Sequence, residues 1–166
     1  PKPSSAASDV YKRQDIVYVS LDGKYEKKYK PSSEWRFHQD IYIKKKDAQA
    51  IVHTHSTNAT ALSVHKKPIP AFHYMVALAG GNDIKCAKYA TYGTRELSKN
   101  ILKALNNRKA CLIANHGQIA FDKNLPDAFE LAQEVENLSL QYITALKLGK
   151  PKILSINEMN LSLIHI

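Results

Sequence analysis

Between residues 16 and 55 the spacing of apolar positions changes twice, and each change marks an element. Ile16 to Ser20 is β-rich and weakly alternating, which predicts a strand, with Asp22-Gly23 as a turn and Tyr25 to Tyr29 as a short partner. From Pro31 the period lengthens. Trp35, His38 and Ile41 or Tyr42 recur at helical spacing, and Ser32 or Ser33 stand where a hydroxyl can accept a free backbone N–H. Asp47-Ala48 turns the chain into a strand over Ala50 to His55. A short helix over Asn58 to His65 is then stopped by KKPIP, where Pro68 and Pro70 restrict the backbone.

Ala71 to Leu78 reads as another helix, ended by Gly80-Gly81, and Ile84 to Ala87 as a short strand. Thr94 is placed to cap a helix whose apolar stripe is Leu97, Ile101 and Leu105. Ala110 to Ala114 and Gln118 to Phe121 predict strands on either side of an Asn-His-Gly bend. Asn124 caps a long helix with Pro126 in its first turn and a stripe of Leu131, Val135, Leu138, Tyr142 and Leu146, closing at Gly149. Alternating strands and helices make this an α/β chain, and its 166 residues suit a single domain. The ends break the pattern: PKPSSAASDVYKRQ is aperiodic and LSLIHI completes no element. Residues 1–14 and 160–166 are therefore expected to be non-native flanking sequence around a domain at 15–159.

Composition narrows the function. No stretch approaches the roughly 20 apolar residues of a membrane span, and no apolar signal region opens the chain, so a cytoplasmic protein is expected. Cys86 and Cys111 are too few for a disulfide framework and read as reduced structural thiols. The formal charge of +9 comes from scattered lysines without arginine–aromatic interleaving or a nucleic-acid module. Nucleic acid is accordingly not expected as a partner, whereas an anionic small molecule suits the charge. Neither GxxxxGK nor GxGxxG occurs, which removes the common nucleotide folds.

Candidate chemistry centres on histidine. His53 and His55 are two apart on a predicted strand and so share a face; His116 ends a second apolar run. Together with a carboxylate they would make a divalent-metal site with a position open to substrate, although each also reads as a hydrogen-bonded core or turn histidine. Glu34, near a helix start, fits either a capping carboxylate or a metal-side acid/base group. Ser32 and Ser33 are caps or a phosphate receptor at a helix N-terminus. Tyr74 is packing, or a phenol able to pass a proton to an alkoxide. His38, His65 and His73 have weaker claims.

The segments PSSEWRFHQDIY, VHTHS, PIPAFHYMVALAGGNDIKCAKYATYGTREL, NRKACLIANHGQIA and LAQEVE, in that order, resemble the class II aldolase/adducin family from about Asp15 to Leu148. The resemblance implies a three-layer α/β domain with a largely antiparallel central sheet flanked by helices. It implies one Zn²⁺ per subunit on His53, His55 and His116, with Glu34 as the acid/base carboxylate. Ser32 and Ser33 would hold a substrate phosphate, and Tyr74 would enter a neighbouring subunit's site within a homotetramer. The activity implied is reversible cleavage of L-fuculose 1-phosphate to dihydroxyacetone phosphate and L-lactaldehyde. Alternatives are a ribulose-phosphate 4-epimerase or a methylthio-sugar phosphate dehydratase of the same family, or an adducin-like protein-interaction domain without catalysis. The family's glycine- and asparagine-bearing N-terminal loop and its C-terminal tyrosine tail find no counterpart in the sequence.

Overall fold

A computed structural model describes residues 16–28 and 30–165. The expectation for residues 1–14 lies outside them. A four-stranded sheet forms the middle layer, in the order β1-β6-β5-β4. β1 (Ala50–Thr54) and β6 (Gly117–Asp122) are antiparallel, as are β6 and β5 (Ala110–Ile113); β4 (Cys86–Ala87) joins β5 in parallel. β2 (Ile69–Pro70) and β3 (Asp83–Ile84) form a separate two-stranded ladder. The central sheet is thus largely antiparallel, as the family resemblance implies.

Two apolar clusters sandwich the sheet. Cys111, Ile113, Ile119 and Phe121 pack with Phe37 and Ile41 of α1 (Trp35–Lys44) and with Leu97 and Ile101 of α3 (Arg95–Ala104). Ala110, Leu112 and Ala120, alternating with them along the same strands, pack with Ala59 and Leu62 of α2 (Thr57–Ser63) and Leu131, Val135 and Leu138 of α4 (Leu125–Lys147). β5 is covered on both sides, which is why ACLIA reads as an unbroken apolar run. Burying one such Leu or Ile side chain contributes about 1.5–3 kcal/mol, so Ile101→Ala in this packed layer should cost about 2–5 kcal/mol. Thr94 accepts the Leu97 N–H at the start of α3, and Asn124 accepts the Asp127 N–H at the start of α4.

Four expectations need correction. Residues 16–20 and 24–28 form no strands. The Gly23 turn is present, with φ +80, but Ile16 and Tyr18 are left exposed among the described residues, and an isolated hairpin is marginal in water. The segment after Pro70 is a 3-10 helix over Tyr74–Ala79. His73 is extended and its Nδ1 accepts the Met75 N–H, so helical geometry starts only at Tyr74; Val76 and Ala79, three apart, then face the core together. Ile84 to Ala87 divides at Lys85 into β3 and β4, which serve different sheets. Finally, residues 156–165 do complete an element. α5 (Ile156–His165) is opened by a reciprocal cap in which Ser155 Oγ accepts the Glu158 N–H and Glu158 Oε2 accepts the Ser155 N–H, and its Met159 is fully buried. Among the described residues no helix is long and apolar enough to cross a membrane.

Candidate metal centre

Three separate pieces of chain deliver the cluster. His53 lies opposite Ile119 in the β1–β6 pairing and so points to the α1 side, where its ring meets Phe37 edge-on at 5.3 Å. His55 follows one residue beyond β1, and the two rings stand 4.9 Å apart between centroids. His116 sits in the β5–β6 hairpin just after Asn115, whose φ of +55 turns the chain back. The Ser63 hydroxyl accepts the His116 N–H at 3.3 Å, which ties that turn to α2. Gly117 is required here, because a Cβ would lie 2.3 Å from the Thr54 carbonyl oxygen.

Glu34 completes the group. It is the residue before the first turn of α1, but its side chain makes no cap hydrogen bond. Its N–H is instead accepted by Ser32 Oγ at 3.3 Å. The carboxylate turns inward, with Oε2 3.0 Å from His53 Nε2 and Oε1 2.9 Å from His116 Nε2. One ligand atom from each of Glu34, His53, His55 and His116 can be chosen so that all lie within 4.8 Å of one another.

The protonation states suit a divalent cation. His53 Nδ1 is 2.8 Å from the Gln118 carbonyl oxygen, an acceptor only, so Nδ1 carries the hydrogen and Nε2 faces the cluster. That Nε2 has two close neighbours, Glu34 Oε2 at 3.0 Å and His55 Nε2 at 3.1 Å. One proton on it can satisfy only one of them, whereas a metal ion satisfies all. Glu34 Oε1 lies near His116 Nε2 without hydrogen-bond geometry and is a buried oxygen without another partner. Tetrahedral Zn–N bonds of about 2.0–2.1 Å put donor atoms roughly 3.3 Å apart, close to the spacing seen. Burial pushes the Glu34 carboxyl up, but the contacts and charge of His116 and His53 outweigh it and hold it well below the usual carboxylate range. Burial, then the charges of His53 and His116, push His55 down, which favours the neutral imidazole. The residues fit a divalent metal.

The cluster opens into a cleft of ≈ 560 Å³ lined by Ser33, Glu34, His55, Tyr89, Ala90, Tyr92, Asn115 and His116. Of the two serines, Ser33 lines this cleft; Ser32, also exposed, braces Glu34. Tyr74 is exposed, stacks on His73 at 4.8 Å and does not line the cleft of its own chain. His38 stacks on Phe37 behind the cluster, and burial, with the charge of His53, pushes it down to about 4. His65 lines a separate apolar groove with Leu62 and Tyr142. Sequence reasoning missed Tyr89 and Tyr92, whose only signal is aromatic residues in a polar loop, and gave Asn115 no weight. It also missed Gln118, whose role depends on a backbone carbonyl. Cys86 and Cys111 are free; burial raises the Cys86 thiol to about 11 and Cys111 further still.

Comparison with known proteins adds four likenesses. Residues 2–143 match the model of the class II aldolase and adducin N-terminal domain. The chain is 49% identical over 157 residues to the 5-methylthioribulose-1-phosphate/5-deoxyribulose-1-phosphate aldolase of Rhodospirillum rubrum, which covers 95% of this chain and 71% of that protein. It is 52% identical over 136 residues to the L-fuculose phosphate aldolase of Escherichia coli K12, covering 82% of this chain; it spans only 63% of that enzyme. A solved L-fuculose 1-phosphate aldolase superposes with a TM-score of 0.89 at 41% identity, over 96% of this chain and 77% of the other.

Proposed function

Since the chain belongs to the class II aldolase and adducin family, we propose that it is a divalent-metal-dependent aldolase that reversibly cleaves a ketose 1-phosphate to dihydroxyacetone phosphate and an aldehyde. One observation carries this reading: an ionised, inward-turned carboxylate and three histidines converge at one end of a substrate-sized cleft. An adducin-like scaffold would have no use for them. One metal ion per subunit, zinc in this proposal, would be held by His53, His55 and His116 and would supply a Lewis acid toward the substrate's carbonyl oxygen.

The chain's own residues do the rest. In cleavage the C4 hydroxyl gives up its proton, the O–H electron pair becomes the C4 carbonyl, and the C3–C4 electrons pass into an enediolate over C2 and C3. Glu34 returns a proton to C3 and, in condensation, removes it. Tyr74 of a neighbouring subunit handles the proton on the C4 oxygen. Ser32 and Ser33, beside the positive end of α1, bind the phosphate, so remote binding energy orients the reacting carbons. No Schiff-base lysine is required. The proposed setting is a cytoplasmic homotetramer without nucleic-acid partners.

L-Fuculose 1-phosphate, giving L-lactaldehyde, is the first substrate reading, supported by the 52% identity to an enzyme of that name. A second reading, 5-deoxyribulose or 5-methylthioribulose 1-phosphate, is favoured by the 49% identity over nearly the whole chain to the Rhodospirillum rubrum aldolase. These substrates differ in the aldehyde half, not in the bond broken. Metal content by plasma mass spectrometry, followed by dihydroxyacetone phosphate release from each sugar phosphate, tests the proposal. About one zinc per chain and turnover of at least one substrate is the expected result. A folded, metal-free protein would overturn the aldolase reading and promote the scaffold, and epimerised product without net cleavage would favour the epimerase.

A further inference from the structure

The histidines of the cluster do not hold their own positions. His55 lies between the last residue of β1 and the start of α2, so its placement depends on what fixes that helix. Ser56 occupies the N-cap, a residue type well suited to capping, yet its hydroxyl makes no cap bond. The cap arrives from α4 instead. Glu136 Oε1 accepts the Asn58 backbone N–H at 2.8 Å and Asn58 Nδ2 at 2.7 Å, while Oε2 accepts the Ala59 N–H at 2.8 Å. Carboxylate bonds of this kind are charge-assisted and lie at the positive end of the helix.

The displaced Ser56 hydroxyl has another task. It accepts from Gln118 Nε2 at 3.0 Å, and the same amide donates to the Ala132 carbonyl of α4 at 2.9 Å. Gln118 is 1% exposed, and its own backbone carbonyl is the acceptor that orients His53. Polar contacts therefore tie α4 to the surroundings of both histidines, through Glu136 to the start of the helix that follows His55 and through Gln118 to His53.

We infer that Glu136 is a positioning residue of the metal centre: by capping α2 from α4 it fixes the backbone that carries His55, and metal affinity depends on it although it reaches no metal ligand. This rests on reading the cluster as a metal centre. A cap needed only for stability could have been supplied by Ser56 alone; diverting Ser56 to Gln118 and reaching across 78 residues couples α2 to the layer behind the site. Outer-layer partners of metal ligands typically change affinity 10–100-fold when removed.

The test uses Co²⁺ as the probe, with its visible absorption and its Kd by chelator competition measured on the full chain. Glu136→Ala is expected to weaken Co²⁺ binding about tenfold and to change the absorption bands, since a displaced His55 alters the ligand field. Glu136→Gln, which keeps one acceptor oxygen but turns an NH₂ toward a backbone donor, should fall between it and the parent chain. Glu130→Ala, elsewhere on α4 and exposed, should leave both readouts unchanged. A Glu136→Ala protein that melts at lower temperature but keeps the parental Kd and spectrum would make Glu136 a structural cap and overturn the inference. Should that variant fail to fold, Glu136→Gln carries the comparison, and an unchanged Kd and spectrum there is equally fatal. If the parent chain binds no Co²⁺, the metal-centre reading falls and takes this inference with it.

Discussion

Glu34 and His38 stand one helical turn apart, and their surroundings drive them in opposite directions. Glu34 faces two imidazole nitrogens and stays ionised; His38, behind the cluster, is kept neutral by burial. Two outcomes follow from that division. Glu34→Gln retains the shape and leaves all three histidines, so it should keep most of its metal while slowing exchange of the C3 hydrogen of dihydroxyacetone phosphate by about 10²–10⁴-fold. Undiminished exchange of label in a metal-loaded variant would remove Glu34 from the proton-transfer role. For His38 the folded value of about 4 lies below the ordinary 6.5. Between those values the unfolded chain binds a proton that the folded chain refuses, so stability rises with pH through the window and is lost as pH falls from 6.5 toward 4. Denaturant midpoints at neutral pH and inside this window should show a larger acid loss for the parent chain than for His38→Asn. Parallel losses would mean that His38 does not contribute to the slope.

At the scale of elements, the β5–β6 hairpin and the end of β1 must approach closely for His116 to meet His53 and His55. Gly117 permits it. In Gly117→Ala the new methyl would meet the Thr54 carbonyl at 2.3 Å, backbone against side chain with no flexible atom to yield. The strands must part, at a cost of about 1–3 kcal/mol typical of overpacking, and the two halves of the cluster separate. Denaturation and metal titration should both register the change; a variant with parental stability would show that the strand ends can relax at no cost. The same elements explain what the sequence could reveal. α3 and α4 were legible because Thr94 and Asn124 cap long periodic stripes, and β1, β5 and β6 because apolar runs bracket His53 and the Asn-His-Gly bend. The pairing of His53 with His55 followed from a period of two. The convergence of His116 and Glu34 on them was one of two readings open from the residues, and family resemblance chose between them, since it depends on which strands pair and on a helix start turned inward. The 3-10 turn and the split at Lys85 were hidden because two-residue ladders and a six-residue turn carry no periodicity. α5 did advertise itself, through the Ser155-x-x-Glu158 capping signature, which was passed over for want of a long apolar stripe.

For the whole molecule, the decisive question is whether one chain contains a complete site. His55, His116, Glu34 and Ser33 meet at a single cleft, but Tyr74 projects from the 3-10 turn, exposed and outside that cleft. If this phenol handles the C4 oxygen proton, it must do so in a second copy, and the proposed homotetramer becomes part of the chemistry. Subunit mixing separates the two cases. His53→Ala should lack metal but retain Tyr74; Tyr74→Phe should retain metal and C3 exchange but lose cleavage. Each alone should be nearly inactive in cleavage. Dissociated and reassembled together, they form contacts in which a Tyr74 from the first faces an intact metal cluster from the second, and cleavage should reappear. The outcome does not depend on the sugar, because any ketose 1-phosphate of this class presents the same C4 hydroxyl. Recovery would also not arise from two self-contained defective sites, since neither chain can repair the other's lesion except across an interface. Mixed oligomers that form but stay inactive would confine Tyr74 to a role within its own subunit or to packing, and the proton on the C4 oxygen would then have to be assigned to the cleft's own tyrosines, Tyr89 or Tyr92.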